Sequence, residues 1–224
     1  DDVDGDDPST DGDVDGAADG DLESEETGEI DEELTLDVGY LPCPIDASAT
    51  GPRPEHPRPD FCRQKWRNLN GEWRFAFDPD DIGLNGNWQA ENNAFDMKIQ
   101  VPFCWQSELS GIHEPDLNGI AWYARNFIIP EDWKGLRVRM VFGAVDWEAR
   151  VYINGEEAGR HEGGYTPFAL DITDRLVEGE NEVSLRVFDP GDDAEYPHGK
   201  QGWPWYTNVG GIWQTVYLEA LPEF

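Results

Sequence analysis

The chain has 224 residues, room for one large β domain or two small domains with a substantial buried core. Its 48 Asp and Glu against 16 Lys and Arg give a formal net charge of -32, so nucleic acid and anionic membrane surfaces are expected to repel it. No run reaches the roughly 18 apolar residues of a membrane span, and no signal peptide is visible.

Residues 1–37 hold 18 of the acidic residues and no Lys or Arg, leaving 30 acidic against 16 basic residues in the remainder. With so little apolar content this stretch has nothing to offset the entropy of ordering, and it reads as a disordered acidic tail. Asp11, Asp13, Asp15, Gly16 and Asp19 fall on successive ligand positions of a calcium loop, but Leu22 stands where a bidentate carboxylate is required. A solvated tail is therefore the preferred reading, and no metal or cofactor is expected. Only four basic residues are lysines (Lys65, Lys98, Lys134, Lys200), and an acid-rich, lysine-poor surface suggests a chain working in concentrated salt, where self-repulsion is screened. The chain does not begin with Met and reads as a processed form or an excised fragment, extracellular or cytoplasmic in a high-salt organism. Residues 38–60 carry six prolines and read as an extended linker along the domain surface. Cys43, Cys62 and Cys104 are too few and too scattered for a disulfide framework or a zinc site.

From Phe61 the pattern becomes aromatic-rich alternation. Trp73, Phe75 and Phe77 alternate with polar neighbours, as do Met97, Ile99 and Val101, then Leu136, Val138 and Met140, and later Val183, Leu185 and Val187. Between the last two sets, Ala149, Val151 and Ile153 alternate with Glu148, Arg150 and Tyr152, followed at once by Asn154-Gly155, a pair suited to a two-residue hairpin. Gly163-Gly164 predicts a second corner before Tyr165 and Phe168. The runs from Trp122 to Ile129 and from Ile212 through IWQTVYLEA read as strands whose inward face is ambiguous. Many short strands with Gly, Pro and Asn turns, and no convincing amphipathic helix, predict an all-β antiparallel sandwich of the jelly-roll kind over residues 61–224.

Ten tryptophans are the most informative single residues. Trp66, Trp73, Trp122, Trp147 and Trp213 lie in or beside predicted strands and read as packing. The loop GKQGWPWYTNVGG, residues 199–211, is different: Lys200, Gln201, Trp203, Trp205 and Tyr206 gather in a segment too irregular for a strand. Aromatic faces stack on the C–H faces of sugars and the polar groups meet hydroxyls, so these five are the candidate binding residues. No catalytic residue is singled out. A glycosidase requires two carboxyls held about 5 to 10 Å apart, and adjacent acids such as Asp192-Asp193 in an acidic chain do not identify such a pair. His56, His113, His161 and His198 lack metal-ligand spacing, and His161 reads as a turn-stabilising hydrogen-bonder.

In chain order, the blocks RPEHPRPDF, LNGEWRFAFD, VPFCWQSELSGI, WYARNFIIP, FGAVDWEARVYING, HEGGYTPFALDIT, NEVSLRVFD and GIWQTVYLE resemble the amino-terminal sugar-binding domain of glycoside hydrolase family 2, the family of β-galactosidases, β-glucuronidases and β-mannosidases. The resemblance implies a galactose-binding-like jelly roll. It also implies that the catalytic glutamates belong to a later (β/α)8 barrel, so a chain ending at Phe224 is expected to be non-catalytic alone. Its expected partners are a β-glycoside or a hydrolase barrel domain; a free-standing carbohydrate-binding module and a truncated enzyme fragment are the alternatives. In relatives an aspartate shortly before the final Gly-Ile reaches the sugar pocket, and here Trp205 occupies that position before Gly211-Ile212. That departure leaves the sugar class open.

Overall fold

A computed structural model describes residues 43–91, 94–193 and 195–222; the expected acidic tail and its calcium-like loop lie outside them. The described residues belong to one compact unit, Leu41–Phe224. Its strands are β1 (Trp66–Asn68), β2 (Gly71–Phe77), β3 (Met97–Val101), β4 (Gly119–Ile128), β5 (Arg137–Phe142), β6 (Val145–Asp146), β7 (Glu148–Ile153), β8 (Glu156–Glu162), β9 (Phe168–Asp171), β10 (Glu180–Asp189), β11 (Gly211–Ile212) and β12 (Val216–Leu221). Between them lie short 3-10 turns such as Glu108–Ser110 and Thr173–Arg175.

The strands form a six-stranded sheet, β3-β2-β4-β10-β7-β8, a four-stranded sheet, β1-β12-β5-β9, and the short pair β11-β6. Every strand pairing is antiparallel. The chain changes sheets repeatedly between β4 and β12, which makes the sandwich a jelly roll. No described helix is long and apolar enough to cross a membrane.

Period-two patterning decides which side chains meet between the sheets. Trp73, Phe75, Ile99 and Val101 from one edge, Val183, Leu185 and Val187 from β10, and Ala149, Val151 and Ile153 from β7 join Val138, Met140 and Leu218 of the facing sheet in one buried cluster. Burying each large side chain contributes about 1.5–3 kcal/mol. Asn154 and Gly155 have φ of 51° and 82°, the positive values that a hairpin matched to strand twist requires. His161 Nε2 lies 3.2 Å from Thr166 Oγ1 across the following corner, the turn-stabilising role its position suggested.

Two sequence expectations are corrected. The run from Ile212 is not a single strand: Gly211–Ile212 pairs with β6, the chain breaks at 213–215, and Val216–Leu221 pairs with β5 and β1. The cysteines do include a disulfide, Cys43–Cys62, with Cα atoms 5.6 Å apart, and Cys104 is free. Spacing alone hides this pair because the two cysteines flank the proline-rich segment that folds back between them.

That segment covers the outer face of the four-stranded sheet, where Trp66, Val141 and Tyr217 make a second, smaller cluster. Trp66 donates its indole N–H to the Pro44 carbonyl at 2.7 Å, and Asp46 accepts the Asn68 amide at 2.8 Å. The buried His56 ring packs edge-on to Trp66 and Tyr217, with centroids at 4.7 and 5.4 Å. Burial holds its pKa below the usual histidine value, against the pull of nearby Glu219.

Candidate functional site

The loop after β10 is built by its own backbone. The Gly202 amide donates to the Tyr206 carbonyl at 2.7 Å, Trp205 N–H to the Gly202 carbonyl at 2.8 Å and Tyr206 N–H to the Lys200 carbonyl at 3.2 Å, closing a tight turn with Trp203-Pro204 at its tip. Gly202 sits at φ 86° against the Asp192 carboxylate, with no room for a Cβ. Because the turn satisfies its own amides, its aromatic side chains are free to point outward. Trp203, Trp205 and Tyr206 are 93%, 64% and 69% exposed. Lys200 Nζ stands 5.3 Å from the centroid of the Trp205 ring, a cation–π contact.

Gln201 faces the other way. Its Nε2 donates to Asp146 Oδ2 and to the Tyr165 hydroxyl, both at 2.8 Å, and its Oε1 accepts the Val209 amide. The Tyr165 hydroxyl in turn donates to the His198 carbonyl at 2.8 Å. A second tie lies further along, where the Gly210 amide donates to Gln106 Oε1 at 2.9 Å above the buried Trp105. Four of the five residues singled out from the sequence thus come together on the exposed turn, and the fifth anchors it to the sandwich. The sequence did not single out Asp146, Tyr165 or Gln106, whose roles depend on contacts dozens of residues away.

Between this turn and the segment 115–118 lies an open cleft of about 470 Å³, lined by Trp203, Trp205, Tyr206, Asp116, Asn118, Asp192 and Asn208 among others. Asn208 Oδ1 is shielded from solvent without a hydrogen-bond partner among the described residues. The cleft therefore offers aromatic faces beside carboxylate and amide edges, the pairing a pyranose requires.

Beneath the loop sit two carboxylates of another kind. Burial raises the pKa of Asp146, opposed by the Gln201 hydrogen bond. Burial also lifts Asp189 to about 6, opposed by the Gly191 amide that donates to Oδ1 at 2.8 Å and by the neighbouring Gln106 side chain. Raised carboxyl pKa values mark candidate acids, but both groups are over nine-tenths buried and neither lines the cleft. Their chemistry points to support of the loop.

Comparison with known proteins agrees with this architecture. Residues 66–222 match the family described as glycosyl hydrolases family 2, sugar binding domain. A β-glucuronidase of Paenibacillus borealis is 32% identical over 154 residues, and a β-galactosidase of Thermoanaerobacter pseudethanolicus is 31% identical over 163 residues. These alignments take in 62% and 70% of this chain but only 26% and 21% of the relatives, so the chain spans about a quarter of their length or less. Among solved structures, the apo β-glucuronidase of Ruminococcus gnavus superposes with a TM-score of 0.62 at 26% identity, covering 73% of this chain and 30% of that one.

Proposed function

The chain belongs to glycosyl hydrolase family 2 as that family's sugar-binding domain, and we propose that what it contributes is recognition: a rigid sandwich presenting Trp203, Trp205 and Tyr206 to a β-glycoside, with hydrolysis left to another part of a longer enzyme. The observation that carries this reading is the aromatic turn, exposed at its tip and tied at its base through Gln201 to Asp146 and Tyr165. Exposed rings on a preorganised loop lose little entropy on stacking against a sugar. Hydrolysis is placed elsewhere because the two carboxyls with raised pKa are sealed beneath the loop, away from the cleft, and the two that line it, Asp116 and Asp192, stand open to solvent. Calorimetric titration of the full chain with methyl β-glycosides, beside a nitrophenyl-β-glycoside hydrolysis assay, tests both halves. Saturable binding without turnover is expected. Turnover that survives repurification overturns the non-catalytic half, and absence of binding to every glycoside overturns recognition.

Leu117 favours a second reading. It is 37% exposed between the cleft-lining Asp116 and Asn118, and with Trp203 it gives this face the apolar character of a surface that packs on a catalytic domain. Hydrogen exchange in the longer enzyme separates the two readings: a docking face is protected without sugar, whereas a recognition face becomes protected only when sugar is added.

A further inference from the structure

Resting on the recognition reading above, we propose that the cleft beside the 199–211 loop acts as a charge filter, admitting neutral and cationic pyranosides and rejecting uronates. Asp116 and Asp192 are its two charged lining groups; both are exposed, and neither has a hydrogen-bond or ion-pair partner among the described residues. The Asp192 carboxylate lies beside Gly202, where a Cβ would meet it, so its charge sits close to the turn that carries the aromatic rings.

An ionised carboxylate only accepts hydrogen bonds. Sugar hydroxyls donate to it, and an ammonium donates more strongly through a charge-assisted bond. A uronate carboxylate is an acceptor facing acceptors, and at low salt it adds like-charge repulsion from both aspartates. The complementary group for a uronate is the bidentate fork of arginine, and no arginine lines the cleft. Lys200, the nearest cation on the loop, lies over the Trp205 ring and is not part of the lining. Charge thus separates sugars of identical ring shape, even though similar chains include proteins named β-glucuronidase.

The test titrates the full chain with methyl β-glucosaminide, methyl β-glucoside and methyl β-glucuronide at low salt. The expected order of affinity is as written, with the glucuronide weaker than the glucoside by about tenfold, a gap that closes in 1 M salt. The double variant Asp116→Asn, Asp192→Asn is expected to bring the glucuronide within about threefold of the glucoside. The control Glu131→Gln, Glu178→Gln removes the same net charge from a separate cleft and should leave the gap unchanged. A glucuronide that binds as tightly as the glucoside overturns the filter but not the recognition reading. Equal relief by the control variant also overturns it, since repulsion then belongs to the whole acidic surface. Absence of binding to all three sugars overturns the recognition reading, and the filter with it.

Discussion

Trp66, Trp73, Trp105 and Trp122 are buried, and each gives its indole N–H to a fixed acceptor: the carbonyls of Pro44, Leu69 and Leu117 and the Asp78 carboxylate. Trp203 and Trp205 stand in solvent with no indole acceptor among the described residues. The same side chain therefore serves stability in one region and is left unused by the fold in the other. A buried indole is over-determined by packing and by its hydrogen bond, whereas the loop indoles are positioned mainly through their backbone, which Gln201 fixes, with Lys200 over the Trp205 ring.

The sharpest way to break this contrast is truncation on each side of it. Trp105→Ala empties a fully buried site and strips the Leu117 carbonyl of its indole donor, and should cost about 3–5 kcal/mol in urea unfolding, whereas Trp203→Ala should stay within about 0.5 kcal/mol of the parent. Comparable losses at both positions would erase the distinction. The disulfide extends the stability side: reducing Cys43–Cys62 should cost about 3 kcal/mol by freeing the 19-residue separation it spans in the unfolded chain. Thiol titration in denaturant should find one thiol, Cys104, before reduction and three after.

Asp189 sharpens the boundary between the regions because it lies beneath the loop but belongs to the sandwich. Its folded pKa of about 6 exceeds the ordinary 3.8, so its contribution is fully present below about pH 4 and lost as pH rises through 6. At pH 7.5 the buried charge costs up to about 3 kcal/mol. Asp189→Asn should be more stable than the parent at pH 7.5 by up to that amount and equal to it near pH 4, with His56 titrating alike in both proteins. A parent advantage at neutral pH would mean that the fold favours the charged carboxylate over the neutral one. A smaller loss is expected at Gln201→Ala: about 1 kcal/mol of stability, with hydrogen exchange of the Val209 amide accelerating while β10 amides stay protected.

The sandwich was legible in the sequence where one face of a strand is wet. Ala149, Val151 and Ile153 in β7 and Val183, Leu185 and Val187 in β10 are all buried as their alternation predicted, and Asn154-Gly155 turns where expected. In β4 alternation fails because both faces are covered: Ala121 and Tyr123 enter the main core, while Trp122 stacks on Tyr152 and meets Trp88 on the other side. Trp105 was not singled out because it sits in a turn, where periodicity carries no information, yet it is fully buried. Exposed loop aromatics were readable from residue type and glycine content. The Gln201 anchor and the cleft's acidic wall were not, since Asp146 and Asp116 are 55 and 85 residues from Gln201 in sequence.

Recognition by the loop and stability by the sandwich are most directly separated by measuring both in one protein. In the variant Trp205→Ala, Tyr206→Ala, affinity for methyl β-glucoside should fall by at least about tenfold while the unfolding free energy changes by less than about 1 kcal/mol. Undiminished affinity with the fold intact, or a loss of binding that only accompanies unfolding, would contradict the division of labour drawn from the structure.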